Sequence, residues 1–170
     1  METISIYDFA ELSETAKKVA LSECRPDYEN EMREMDSSDI AETFSKYEKL
    51  FGVDVDVRES SHGFYWKSYN DKTDADGDND LELWNEKDEL VEQTETDWWS
   101  DDIFAETFFG FVFDNEKSYG CNVADLFVKF KEKANRETES GFDKITDNEI
   151  AGYIENNKFG FFENGKRFIG

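Results

Sequence analysis

The chain has 170 residues, with 42 Asp and Glu against 19 Lys and Arg, and a formal net charge of −23 at pH 7. Phosphate neutralisation needs Lys and Arg patches, so this balance argues against direct nucleic-acid binding and against adhesion to anionic lipid. Aromatic residues make up 16%, including 16 Phe, which is enough for a real core and unlike a disordered chain.

Self-repulsion at this net charge destabilises the compact state, so the charge itself asks for a function. Cys24 and Cys121 are the only cysteines and lie far apart in sequence. With no signal-like start and no apolar run near 18 residues, the expectation is a cytoplasmic protein inside a host cell, with free thiols and no membrane partner.

In chain order, residues 3–7 alternate and predict a short strand. Residues 11–23 predict a helix with the stripe Leu12, Ala16, Val19 and Ala20, stopped by Pro26. An acidic connection follows over residues 27–36. Ser38 is the expected cap of a second helix carrying Ile40, Phe44, Tyr47 and Leu50, with Gly52 just beyond its end. Val53, Val55 and Val57 alternate with Asp54, Asp56 and Arg58. With residues 64–69 they predict a hairpin closed by Ser60-Ser61-His62-Gly63.

Residues 81–84 (Leu-Glu-Leu-Trp) read as a third strand. Ser100 is expected to cap a helix over 101–112, with Phe104, Phe108, Phe109 and Phe111 on its aromatic face. Asn122 is expected to cap another, with Val123, Leu126, Phe127 and Phe130 inward. Thr146-Asp-Asn-Glu149 is a capping box opening a short helix. Two strands around Glu163-Asn164-Gly165 close the chain. These elements predict one α+β domain over residues 1–170: a small, mostly antiparallel sheet with four or five helices.

The charge is concentrated. Residues 71–102 hold fourteen carboxylates against Lys72 and Lys87, with Trp84, Trp98 and Trp99 among them. Asp74-x-Asp76-Gly77-Asp78-x-Asp80 has the look of an EF-hand loop. Aligned on Gly77, however, it places Lys72 at position one and Leu83 at position twelve, where the ligands should be, so no metal is expected. His62 lies in a turn, and no GxSxG, P-loop, GxGxxG or HExxH is present, so no catalytic residue and no cofactor is assigned. A second acidic stretch spans residues 23–39, where Arg25 and Arg33 offer local pairing.

A duplex carries one charge per ~1.7 Å of axis, so fourteen carboxylates match roughly 24 Å of DNA. Such a surface suits a Lys/Arg-lined channel, and Trp is favoured as an interface anchor. The expected contact residues are Asp74, Asp76, Asp78, Asp80, Glu82, Asp88, Glu89, Glu92, Asp97, Trp98, Asp101 and Asp102.

The opening Tyr7-x-Phe9-x-Glu11-Leu12-Ser13-x-x-Ala16-Lys17 resembles that of small uncharacterised proteins of phages and mobile elements. The ending Phe162-Glu-Asn-Gly165-Lys-Arg-Phe168 is similar to theirs too. In charge and length the chain is similar to phage DNA-mimic inhibitors, the anti-CRISPR and antirestriction proteins. The motifs at the two ends imply a phage or mobile-element origin and no activity; the similarity in physical character implies a non-enzymatic inhibitor whose partner is a basic nucleic-acid-binding host complex: a CRISPR effector first, a restriction enzyme next. The alternatives are an acidic adaptor for a basic host protein outside defence, and a Mg²⁺-dependent enzyme.

Overall fold

A computed structural model describes residues 5–73 and 79–169. Thr3 and Ile4 of the first predicted strand, and Asp74, Asp76 and Asp78 of the acidic loop, lie outside the described residues. In order, the elements are β1 (Tyr7–Asp8), a 3₁₀ turn (Phe9–Glu11), α1 (Glu14–Phe51), β2 (Val53–Ser60) and β3 (Gly63–Asp71). They continue with α2 (Asp80–Gln93), α3 (Trp99–Phe109), α4 (Tyr119–Phe142), α5 (Asp147–Asn157) and β4 (Gly160–Phe161). The fold is α+β, and its strands form two antiparallel pairs, β1 with β4 and β2 with β3.

The chain divides into two compact units. One is residues 1–35 with 139–170, the other residues 36–138, so α1 and α4 each supply residues to both. The first unit packs Leu12, Ala16, Ala20 and Cys24 of the N-terminal segment against Ile150, Ile154 and Phe161. Thr146 caps α5 as its motif predicts: Glu149 N donates to Thr146 Oγ1, and Thr146 N donates back to Glu149 Oε2 at 2.7 Å. The Asn-Gly turn also forms. Gly165 takes φ +85°, Phe162 N donates to Lys166 O, and the pairing beyond it is a single bridge from Phe161 to Arg167.

The second unit is built on aromatic rings. Tyr47 stacks on Phe104 with centroids 3.8 Å apart, Phe51 meets Phe104, Phe108 and Phe127 edge-on, and Trp84 packs against Phe108, Phe111 and Phe113. The hairpin forms over the predicted residues, with Val53 and Val55 buried and a bulge between Asp56 and Val57. Gly52 ends α1 at φ +69°, its N–H reaching Glu48 O, as the sequence predicts.

Four expectations are corrected. Pro26 does not stop a helix: it lies inside α1, which runs through the predicted loop 27–36 and past Ser38. A proline there removes one backbone donor and crowds the Ser22 carbonyl. The helix continues because Ala16, Ala20 and Cys24 are buried before it and Ile40, Tyr47 and Phe51 after it. Residues 81–84 are helical, since the buried pair Trp84 and Val91 has a spacing of seven, and four residues of alternation cannot outweigh that helical period. Neither Ser100 nor Asn122 caps a helix. Ser100 is inside α3 and bonds Thr43 and the Asp39 carbonyl. Asn122 is inside α4, where its side chain ties down the carbonyls of Asp114, Lys117 and Ser118.

Candidate interaction surface

The second unit carries 27 carboxylates and 11 Lys and Arg, the larger share of the excess charge. Its most acidic element is α2. Trp84 and Val91 anchor one face in the core, which fixes the helix rotation. Glu82, Glu86 and Glu89 then recur at i, i+4 and i+7 on the opposite side, all exposed; helical spacing stacks them in one stripe. Gln93 extends the stripe and donates to Glu89 Oε1. Asp88 and Glu92, four residues apart and exposed, line a flank. Glu86 was not among the expected contacts. It becomes visible once residues 82–89 are read as helix.

Two of the expected contacts turn inward. Asp80 is half-buried, and its Oδ2 accepts the Tyr119 N–H at 2.9 Å, capping the start of α4. Asp101 is fully buried, at 0% exposure. Its Oδ1 accepts from Thr43 Oγ1 at 2.6 Å. Its Oδ2 accepts from Lys46 Nζ at 2.7 Å, Asp97 N at 2.9 Å and Trp98 N at 3.2 Å. Burial alone would raise this carboxyl, but the bonds from Lys46, Thr43, Trp98 and Asp97 outweigh it and hold it below the usual carboxylate range. Burial likewise works to lower Lys46, and its bonds to Asp101 and Asp97 prevail and raise it. Tyr47, buried near Asp101, is pushed up to about 12. Asp101 therefore acts on the fold: as the third residue of α3 it satisfies free N–H groups at the helix start, which no Trp98 side chain can do. Sequence reasoning missed Lys46 and Thr43 because both come from α1, more than fifty residues away.

The same network presents Trp98. Lys46 Nζ also donates to Glu95 O at 3.1 Å and to Asp97 Oδ2 at 3.0 Å. The segment from Glu95 to Asp101 is thus pinned at several points, yet Trp98 stays 42% exposed. Trp99 instead packs against the core. Asp97 and Asp102 are exposed on either side of this turn. Among the described residues, the exposed carboxylates of the acidic window therefore form two clusters, the α2 stripe and the start of α3.

The other acidic stretch, residues 23–39, is helix. Arg25 pairs with Glu29, Arg33 with Glu139, and Arg167 with Asp27, while Glu23 accepts the Arg167 N–H. His62 is exposed in its turn, with Nδ1 3.1 Å from Ser61 Oγ. Among the described residues no three potential metal ligands cluster, and no helix is long and apolar enough to cross a membrane. No protein family, curated protein or solved structure matches the chain.

Proposed function

We propose that this protein is a phage-encoded, non-enzymatic inhibitor that occupies the basic nucleic-acid channel of a host defence complex, with α2 standing in for a strand of phosphates. The observation that carries the reading is the charge spacing. From Glu82 to Glu92 the helix exposes five carboxylates over about 15 Å, at 1.5 Å per residue. That is one charge per roughly 3–4 Å, against 3.4 Å along one strand of a duplex. The carboxylates sit on a helix whose other face is locked by Trp84 and Val91, so their order along the axis is fixed before binding and only their side-chain rotamers are left to settle.

Lys and Arg residues that grip a nucleic-acid backbone by its charge and shape, as in RNA-guided nucleases, meet the same spacing here. Opposite fields would also speed the encounter, by up to ~10³-fold at low salt. A CRISPR effector is the first target and a restriction enzyme the second. The test is capture from a bacterial lysate on immobilised protein at low salt, followed by elution with duplex DNA or guide RNA. Nucleic-acid-handling proteins released by the oligonucleotide support the reading. A captured partner that handles no nucleic acid, or that the oligonucleotide leaves in place, favours an adaptor outside defence.

A further inference from the structure

We infer that Trp98 is the docking point for an arginine side chain of the partner, stacking the guanidinium on its indole face with Asp102 as the carboxylate acceptor; this rests on the reading that the acidic clusters meet a basic protein. Cations over rings are already common in this chain. Arg33 covers Phe142, Lys129 covers Phe111, Lys131 covers Phe44 and Arg167 covers Phe159. Every one of these rings is a phenylalanine. Tryptophan is the best acceptor of a cation, yet among the described residues no cation and no second ring covers Trp98, which keeps 42% of its surface in solvent.

Its surroundings complete the receptor. Trp98 immediately precedes α3 and Asp102 is the fourth residue of that helix, one turn along and exposed. Asp97, on the other side, is held by Lys46, so Asp102 is the flanking carboxylate without an ion pair among the described residues. A planar guanidinium lies flat on an indole while donating in its own plane to a carboxylate. A lysine ammonium has no such plane, so an indole paired with a carboxylate favours arginine. The backbone beneath the indole is held in place. Asp101 holds the Asp97 and Trp98 N–H groups, and Lys46 ties Asp101, Asp97 and the Glu95 carbonyl together. The backbone that carries the ring is thus held before a partner arrives, which lowers the cost of ordering this turn on binding.

The test compares octa-arginine with octa-lysine, peptides of equal charge, by calorimetric titration at low salt. The intact protein should bind octa-arginine about 5- to 30-fold more tightly. Trp98→Ala should bring the two peptides to equal affinity without lowering the melting temperature, and Trp98→Phe should keep part of the preference. E82Q/E86Q/E89Q should weaken both peptides alike and leave their ratio unchanged. Equal affinity for the intact protein, or an undiminished preference in Trp98→Ala, overturns the inference. Failure of the nucleic-acid reading has a separate signature: oligonucleotides do not release the captured partner, whatever the peptide ratio.

Discussion

Replacing Asp101 tests how the acidic turn is held. Asp101→Ala leaves the Asp97 and Trp98 N–H groups, the Thr43 hydroxyl and the Lys46 ammonium without their shared acceptor. Breaking a buried pair by removing one partner costs about 3–5 kcal/mol. Asp101→Asn should cost less, about 1–3 kcal/mol. Its amide oxygen can replace Oδ2 toward three donors, and its NH₂ can replace Oδ1, because the Thr43 hydroxyl is able to turn and accept. What the amide loses is charge. Lys46→Met should therefore cost more alone than on top of Asp101→Asn, where the ion pair with Asp101 is already gone and the bonds to Asp97 and the Glu95 carbonyl remain to be lost. Urea denaturation at pH 7, followed by tryptophan fluorescence, measures all four proteins. An Asp101→Ala protein within about 0.5 kcal/mol of the original, the scatter of ordinary surface changes, would refute the assignment of this carboxylate as the centre of the network.

Three further outcomes follow from other parts of the fold. Gly165→Ala should destabilise by more than about 2 kcal/mol in the same assay, because φ is +85° and a Cβ there meets the Ala16 backbone carbonyl; an unchanged midpoint would contradict that close approach. Pro26→Ala should stabilise by about 2 kcal/mol, since Pro26 is exposed inside α1 and alanine restores the missing donor; a loss of stability would show that the ring is needed.

Stability should also peak on the acid side of neutrality. Burial raises the Asp36 and Glu48 carboxyls, so their unfavourable contribution fades as pH falls from 7 toward the ordinary carboxylate value near ~4. Asp101 is lowered, so its contribution is complete above that value and is lost as pH falls below it. Urea titrations at pH 7, 5 and 3 should show a rise and then a fall; a continuous rise to pH 3 would contradict the sign assigned to Asp101.

Local chemistry was readable wherever neighbouring residues decide it. The Thr146–Glu149 box, the Gly52 stop, the alternating valines and the Asn-Gly turn each involve a few adjacent residues, and each formed. Pro26 failed as a signal because its cost is local, whereas the burial that carries α1 through it involves Ile150, Ile154 and Phe161 at the far end of the chain. Leu81 to Trp84 failed because a short apolar run fits both periods, and Val91, which settles it, lies beyond the run. In the candidate surface, composition located the acidic window but could not tell which carboxylates serve the fold. Asp80 and Asp101 face backbone N–H groups, and only the positions of Tyr119, Lys46 and Thr43 reveal that.

The central claim is that the outward carboxylates of α2 act in place of phosphates. The most direct measurement is displacement of a fluorescent DNA duplex from a purified guide-loaded, RNA-guided nuclease, read by anisotropy. The account predicts that the protein releases the duplex at low salt, that release weakens as salt rises, and that E82Q/E86Q/E89Q, folded and equally stable, releases far less. Equal potency of the triple variant, or a duplex that stays bound at saturating protein, would contradict it.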